Sequence, residues 1–219
     1  MSFLSFFHGF FQNRTKDLEE RNKRLSALRK LDEVMMSSST GVLEVAQKVT
    51  DAMAFELWFE TGVLALIDQE KGVLRRVAMS NTPSGIKAKK ALPIPYEKLE
   101  IPLNSEENIS IQAIKTGEKK ITHDLYDLFI PVLDKQLSQK IQETVGVKTS
   151  LIYPIKARNT VIGVMIVSIA RLEKELSSYE EESIKNLVDV IGIALGNAML
   201  YQNLKITKEQ LEVANERLK

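Results

Sequence analysis

The sequence contains no cysteine and only two histidines, His8 and His123. Without cysteine the chain cannot form a disulfide, a thiolate metal site or a cysteine nucleophile, and it cannot attach a cofactor through a thioether. Two histidines are too few for most metal sites, so we expect no bound metal. The lack of disulfides fits a reducing compartment and predicts a cytoplasmic protein.

An excess of charge of one sign is also missing. The 219 residues include 30 basic and 29 acidic side chains, for a net charge of +1. This balance argues against nucleic acid or a strongly acidic substrate as a partner. A short basic run, Lys87, Lys89 and Lys90, is interpreted as a solvated loop. Neither a G-x-S-x-G nucleophile motif nor a phosphate-binding glycine loop occurs, so we expect no catalysis.

The most informative feature that is present is a heptad pattern at the C-terminal end. Its members recur at alternating steps of three and four residues, which places them on one stripe of a helix. The stripe cannot bury itself against its own helix, so the pattern predicts a two-stranded coiled coil with a partner helix. The members of this seam are Val190, Ile193, Asn197, Leu200, Leu204, Thr207, Leu211, Ala214 and Leu218.

Asn197 is the polar member of the seam. A buried amide at such a position fixes the register and favours two strands. The alternative is an ordinary, half-exposed helical residue.

A second heptad register lies near the N-terminus, in residues 13–36, which are predicted to form a charged signalling helix. Leu18, Leu25 and Leu28 share this register and extend the expected dimer seam. The preceding residues 1–12 carry five phenylalanines, but they are too few to span a bilayer and lack the features of a secretory signal.

Phe3, Phe7 and either Phe10 or Phe11 share one helical face of this apolar segment. Two interpretations remain open. The segment is an interfacial helix that brings the protein to the membrane surface, or it packs against its counterpart in the dimer.

Residues 37–176 are predicted to form one globular domain of helices and antiparallel strand pairs. A helix follows the serine-rich break at residues 37–41, and strands 63–68 and 73–79 form a hairpin. Residues 80–102 are interpreted as a long excursion that leads to a short strand at 99–103. Asn104 and Ser105 are predicted to cap a helix over residues 106–115, which Gly117 ends.

The second half of the domain contains the clearest strand pair. A short strand at 119–122, an irregular stretch and a helix over 133–145 precede the hairpin of strands 149–156 and 161–169. Ser178 and Glu181 form the predicted capping box of the last helix, which occupies residues 177–219. Antiparallel pairs flanked by helices predict an α+β domain with helices on one face of the sheet.

The sequences of several segments resemble those of the GAF domain family. The segments are TGVLEVAQKVTDAM, VLALIDQEKGVLRRVA, IPLNSEENISIQAIKTGEKKITHDL, TSLIYPIKARNTVIGVMIVSIA and LSSYEEESIKNLVDVIGIALGNAMLY, which together cover about residues 28–201. One departure is that Asn108 and Ser110 stand where many such domains have a glycine-rich turn.

The resemblance implies a GAF-like six-stranded antiparallel sheet, with helices on one face and a ligand pocket formed by the excursion on the other. It also implies a parallel homodimer in which the helices at both ends of the domain bundle together. Such a dimeric sensor passes a signal through its outgoing helices to an output domain or a partner chain, as in the input part of a histidine-kinase-type protein. The implied pocket candidates are Tyr96, Leu99, Ile109, Ile114, His123, Asp124, Phe129, Tyr153 and Met165. For Tyr153 and Met165, on the last hairpin, a place in the core is the favoured alternative.

The resemblance leaves the ligand and cofactor unknown. Covalent bilin and the GAF-fold methionine sulfoxide reductases both require a cysteine. The Asn-Lys pattern with a downstream Asp-Glu that marks some cyclic-nucleotide sites is not found in the predicted domain, residues 37–176. His123 is the one candidate for an axial haem ligand, but a histidine beside an aspartate is more often part of a hydrogen-bonded turn, so haem is not expected. An alternative function is a peripheral membrane adaptor without ligand sensing, anchored by the phenylalanine-rich N-terminus.

Overall fold

The structure is a computed structural model that describes residues 41–217 and four helical residues, Asn22, Leu25, Ser26 and Arg29. The expectations for residues 1–12 and for most of the N-terminal helix, including Leu18 and Leu28, lie outside the described residues. Leu218 at the end of the C-terminal seam lies outside them as well. Leu25 is 62% exposed.

The first part of the domain follows the predicted order. Helix α1, Val42–Leu57, begins after Gly41 and ends at Trp58, which adopts a left-handed φ of 60°. Strands β1, Thr61–Asp68, and β2, Val73–Met79, form an antiparallel pair. The predicted first hairpin is therefore confirmed.

The excursion contains a helix that the sequence analysis missed. Helix α2, Pro83–Ala91, carries the three lysines that were interpreted as a loop. Thr82 caps it by accepting a hydrogen bond from the Gly85 N–H, and Pro83 occupies the first helical position, where its missing N–H is not needed. The loop prediction was wrong because the prolines were taken as evidence against any helix.

The middle of the chain follows as short elements. A 3₁₀ turn, Tyr96–Lys98, leads into strand β3, and the stretch expected to be irregular contains the short helix α4. The bounds are β3 Glu100–Pro102, α3 Ile109–Thr116, β4 Lys120–Thr122, α4 Tyr126–Phe129 and α5 Lys135–Val145.

Helix α3 is capped by a different residue from the one predicted. The Asn108 Oδ1 accepts hydrogen bonds from the backbone N–H of Ser110, at 2.9 Å, and of Ile111, at 3.3 Å. Asn104 and Ser105 lie before this cap, in turns. Gly117 ends the helix with a left-handed φ of 66°, as predicted.

The last strand pair and the long helix complete the domain. Strands β5, Thr149–Ala157, and β6, Thr160–Ile169, are antiparallel neighbours, which confirms the second hairpin. After a 3₁₀ turn, Glu173–Glu175, helix α6 occupies Ser178–Arg217, a length of 40 residues or about 60 Å.

The capping box of α6 lies one residue earlier than predicted. The Ser177 Oγ accepts a hydrogen bond from the Glu180 N–H at 3.1 Å, and the Glu180 Oε2 accepts one from the Ser177 N–H at 2.8 Å. Burial alone would raise the pKa of Glu180, but hydrogen bonds from Ser177 and Arg171 outweigh it and hold the pKa below its usual range. Ser178 is thus the first helical residue, so the predicted pairing of Ser178 with Glu181 was wrong.

The substitution Ser177→Ala is expected to lower the free energy of unfolding by about 1 kcal/mol, because the N-terminus of α6 loses its cap. Ser178→Ala is the matched control and is expected to change it by less than about 0.5 kcal/mol. Urea unfolding followed by circular dichroism measures both values. Equal losses in the two variants would contradict the observed position of the cap.

The six strands form one sheet in the order β3-β2-β1-β6-β5-β4, with every neighbouring pair antiparallel. Consecutive strand residues face opposite sides, so Leu64 packs under α1 and α6 while Ala65 faces the excursion. The α+β architecture and the six-stranded antiparallel sheet are confirmed. The short helices α2 to α5 cover the second face.

Over part of its length α6 is long and apolar enough to cross a membrane, judged by length and composition. In that stretch, however, 44% is buried inside the domain. Ile184, Leu187, Ile191 and Leu195 are the core-facing residues, and they pack against the sheet and α1. The apolar character of this stretch is therefore accounted for by its role as a core helix.

Candidate functional site

The candidate pocket residues do not come together in one place. Tyr96, Leu99 and Phe129 are buried in the apolar cluster between the sheet and the excursion, and Ile109 and Ile114 pack half-buried against it. These five residues, all from the excursion and the helices after it, share the face on which the resemblance places a pocket. We call this group, with the strand residues beneath it, the excursion cluster.

Tyr153 and Met165 lie on the opposite face of the sheet, in the core beneath the terminal helices. They are direct partners in the β5–β6 register, so their side chains share one side. The sequence showed that both are buried, but a continuous apolar strand does not reveal which face each residue takes. Both are core residues and lie away from the excursion cluster.

His123 and Asp124 lie at the protein surface. The His123 Nδ1 is 3.2 Å from the Lys148 carbonyl oxygen, and its Nε2 is 3.2 Å from a Glu173 carboxylate oxygen. The pair lines an open, polar cleft of about 540 Å³ beside α5. His123 is thus held by residues distant in sequence, and the pair lines this surface cleft rather than the excursion cluster. Within the described part of the chain, no group of acidic or histidine side chains is placed to hold a metal.

The most unusual side chain of the excursion cluster is that of Arg76 on β2, which was not among the predicted site residues. Arg76 is only 6% exposed. The Nη2 donates a hydrogen bond to the Leu128 carbonyl oxygen at 2.9 Å, and the guanidinium carbon lies 4.6 Å from the centroid of the Phe129 ring. Burial lowers the pKa of Arg76. Among the described residues, Arg76 has no carboxylate partner.

Tyr96 lies beside this guanidinium. Its hydroxyl donates a hydrogen bond to the Ala78 carbonyl oxygen at 2.9 Å. Burial raises the pKa of Tyr96, although the charge of Arg76 opposes the shift, so the phenol is neutral at physiological pH. The Lys89 Nζ lies 5.7 Å from the centroid of the same ring and donates to the Met79 carbonyl oxygen at 3.3 Å. Two cations therefore flank one neutral phenol.

A sequence signal for Arg76 did exist. Arg75 and Arg76 are consecutive in a strand, so they must face opposite sides of the sheet. Both faces of this sheet are covered, and one of the two arginines must therefore enter the layer under the excursion. The signal was overlooked because arginine is seldom fully buried.

Asn108 holds the segment that carries the contacts of Arg76. Its side chain is fully buried, and its Nδ2 donates a hydrogen bond to the Ile130 carbonyl oxygen at 2.8 Å. Ile130 directly follows Leu128 and Phe129, which contact the guanidinium. One amide therefore caps α3 and fixes the position of the residues over Arg76.

The substitution Asn108→Ala is expected to lower the free energy of unfolding by about 2–3 kcal/mol, since it removes a cap and leaves the part-buried Ile130 carbonyl without its partner. Asn104→Ala, at the exposed residue first predicted to cap the helix, is the matched control and is expected to change little. Guanidinium chloride unfolding measures both. A loss in the control as large as in Asn108→Ala would show that the cap lies elsewhere.

A second cleft, of about 520 Å³, lies between β5 and the first half of α6. Lysine and acidic side chains both line it, and the Lys119 Nζ pairs with a Glu181 carboxylate oxygen at 3.2 Å. The Tyr153 hydroxyl beneath it is buried without a hydrogen-bond partner. Because charges of both signs line this cleft, it favours no ligand of one charge.

The fold and the excursion cluster can now be compared with known proteins. A family model described as GAF domain matches residues 39–196. This chain belongs to the GAF domain family. GAF domains are signalling and sensory modules, and the match covers the sheet, the excursion and the first half of α6. Among curated proteins, no sequence matches the chain.

Solved structures show the same GAF fold at low sequence identity. The phycoerythrobilin-bound GAF domain of a cyanobacterial phytochrome has a TM-score of 0.58 at 16% identity, over 82% of this chain and 97% of that one. Residues 122 to 287 of a methyl-accepting chemotaxis protein give 0.57 at 17%, over 78% and 97%. The free methionine-R-sulfoxide reductase of Neisseria meningitidis gives 0.53 at 11%, over 81% and 93%. At these identities the likeness concerns the fold alone.

Proposed function

We propose that this GAF domain is a dimeric sensory and relay module in the cytoplasm, forming the input part of a histidine-kinase-type two-component protein and performing no catalysis itself. The observation that carries the proposal is the exposed apolar stripe of α6. Its members Ile193, Leu200, Leu204 and Leu211 are 58%, 44%, 68% and 60% exposed in the single chain. Their heptad spacing fits a second copy of the same helix.

The exposed stripe is separate from the core-facing side of α6. Ile191 and Leu195 are buried against the domain, whereas Ile193 and Asn197, which lie between and after them, face outward. Every described side chain from residue 201 to 216 is exposed. The same helix therefore has one face packed against the sheet and another face available for pairing. A change in the orientation of α6 on the domain then moves the seam residues at its far end.

Burial of the stripe supplies a driving force for pairing. Complete burial of one leucine or isoleucine side chain contributes about 1.5–3 kcal/mol. The four large seam residues of each chain are already partly covered, yet they still supply several kcal/mol to a dimer, from which the loss of translational and rotational freedom must be subtracted. The resulting balance is consistent with a dimer whose geometry can respond to a ligand.

The sensory half of the proposal concerns the excursion cluster. Arg76 belongs to β2, and an irregularity in the β1–β2 register between Leu64 and Ala65 places Ala78, two residues after Arg76, in the core beneath the terminal helices. A ligand that moves the excursion therefore acts on a strand whose other face supports α1 and α6. This path links the cluster to the outgoing helix through packed residues.

The test is light scattering combined with native mass spectrometry on the purified full chain. We expect a particle of twice the 24.7 kDa chain mass and a small molecule retained through purification. A strictly monomeric protein that retains nothing would contradict both halves of the proposal.

The phenylalanine-rich N-terminus supports the alternative of a peripheral membrane adaptor. Phe3, Phe7, Phe10 and Phe11 give this segment an apolar surface suited to a membrane interface. Liposome flotation with and without residues 1–11 separates the two functions. Flotation that requires this segment, together with no retained ligand, favours the adaptor.

A further inference from the structure

We propose that Arg76 anchors a site for a small anionic ligand that carries a carboxylate or a phosphate group, with Lys89 as a second cation beside it. The inference rests on the proposed function, because it assigns the chemical class of the ligand that the sensory module detects. It is carried by a buried guanidinium and a half-buried ammonium that share one phenol as a neighbour.

Arg76 has no negatively charged partner among the described residues. A buried cation is strongly unfavourable unless an anion or a full set of hydrogen bonds compensates it. Arg76 uses one donor, to the Leu128 carbonyl oxygen, and a guanidinium has five. Tyr96 is neutral and cannot balance the charge. Throughout residues 41–217 no carboxylate forms an ion pair with Arg76 or Lys89.

Other cations of the domain provide the contrast. Lys115 pairs with Glu106 at 2.9 Å, and Arg171 pairs with Glu180. These pairs are more exposed and need a counter-charge less than Arg76 does, because water already screens them. The most buried cation described thus lacks a carboxylate partner of the kind that these two more exposed cations have. Such an arrangement is expected when the partner is a molecule that binds from outside.

The guanidinium of Arg76 is already held in one orientation for an incoming ligand. The Phe129 ring packs on the face of the guanidinium, and the Leu128 carbonyl holds Nη2, so the planar group has a fixed orientation. Neither Nε nor Nη1 of Arg76 makes a hydrogen bond within the described residues, and neither is among their fully buried nitrogens without a partner, so both reach the surface of the cluster. These two nitrogens present the parallel donors that bind a carboxylate or phosphate through two oxygens. The apolar surroundings strengthen such a pair because little water competes for it.

An anion bound to Arg76 is expected to stabilise the excursion. The residues that hold Arg76 belong to α4 and the segment after it, which Asn108 ties to α3. An anion that pairs with the free edge of the guanidinium must lie among these same residues. Occupancy therefore stabilises the excursion over β2, which is the behaviour required of a ligand-sensing face.

The experiment compares thermal unfolding of the full chain in sodium phosphate, in sodium acetate and in sodium chloride at equal ionic strength. For a probe at tenfold excess over its Kd, the Tm of the wild-type protein is expected to rise by about 3–6 °C over chloride. Arg76→Met is expected to abolish the rise. Arg75→Met removes the same charge from the adjacent residue, which faces the other side of the sheet, and is expected to retain it.

The pattern of results identifies the anion or overturns the site. A rise in phosphate alone assigns a phosphoryl group, a rise in acetate alone assigns a carboxylate, and a rise in both supports the shared chemistry. No rise in either anion, or an equal rise in Arg76→Met, overturns the proposal.

A second measurement uses only the wild-type protein, so it does not depend on whether a variant folds. Phosphate and acetate titrations are followed through the Arg76 Nε–Hε signal in nuclear magnetic resonance spectra of the wild-type protein. A saturating shift of this signal is expected, and its absence while other signals move overturns the site. A dimeric protein without an anion response would refute the ligand class and leave the relay intact. A monomer that binds anions would refute the relay alone.

Discussion

Replacing Leu204 and Leu211 together by lysine is expected to convert the dimer into monomers while the globular domain stays folded. Both side chains are exposed in the single chain, at 68% and 60%, so the monomer loses little when they change. In the dimer, each chain loses two buried leucines and places ammonium groups opposite one another at the seam. The lost burial alone is about 4 kcal/mol or more, which weakens association by about a thousandfold.

Sedimentation equilibrium measures the association, and far-ultraviolet circular dichroism reports whether the domain remains folded. The control is Gln202→Lys with Gln210→Lys, which adds the same charge to the exposed part of α6 outside the stripe. This control is expected to remain dimeric. A double leucine variant that sediments as a dimer would show that the C-terminal seam is not the main contact.

The substitution Gly192→Ala is expected to lower the free energy of unfolding by about 2–3 kcal/mol. A Cβ atom at Gly192 would lie 2.2 Å from the Lys156 carbonyl oxygen, so either α6 or the end of β5 must move. Helix propensity alone predicts the opposite sign, because alanine stabilises a helix interior by about 1 kcal/mol relative to glycine. The sign of the change therefore distinguishes close packing from propensity.

Gly196→Ala, one turn further along α6, is the matched control. Its nearest neighbour would be the Ala157 Cβ at 3.0 Å, near the end of β5, where the strand leads into a turn and can yield. The free energy of unfolding of this control is expected to differ from that of the wild-type protein by no more than about 1 kcal/mol. Urea unfolding of both variants gives the comparison. A stabilised Gly192→Ala protein would contradict the close approach of α6 to the sheet.

Hairpins and long helices were predicted well because their signals are local and repeated. The continuous apolar run of β1, the alternating burial of β2 and the core-facing residues of α6 each extend over several residues, and the turn at residues 69–72 separates the two strands. Features that depend on one residue were predicted less well. Ser177 and Ser178 have the same chemistry, so the sequence could not select the cap between them.

Two further errors have different physical causes. Helix α2 was missed because Pro83, which begins the helix, was interpreted as a loop residue. Arg76 was missed because the binary pattern of apolar and polar residues assigns an arginine to the surface. Burial of a charge is a tertiary property that depends on which elements cover the strand. The separation of Tyr153 and Met165 from the excursion cluster is tertiary in the same sense.

Single-cysteine cross-linking tests the pairing of α6 most directly, because the chain has no cysteine of its own. In a parallel, in-register coiled coil the two copies of Leu204 face each other at a separation compatible with a disulfide. Leu204→Cys is therefore expected to form a covalent dimer rapidly under mild oxidation, whereas Gln202→Cys, outside the stripe, is expected to react slowly. Equal rates at the two positions, or no dimer at either, would contradict the account.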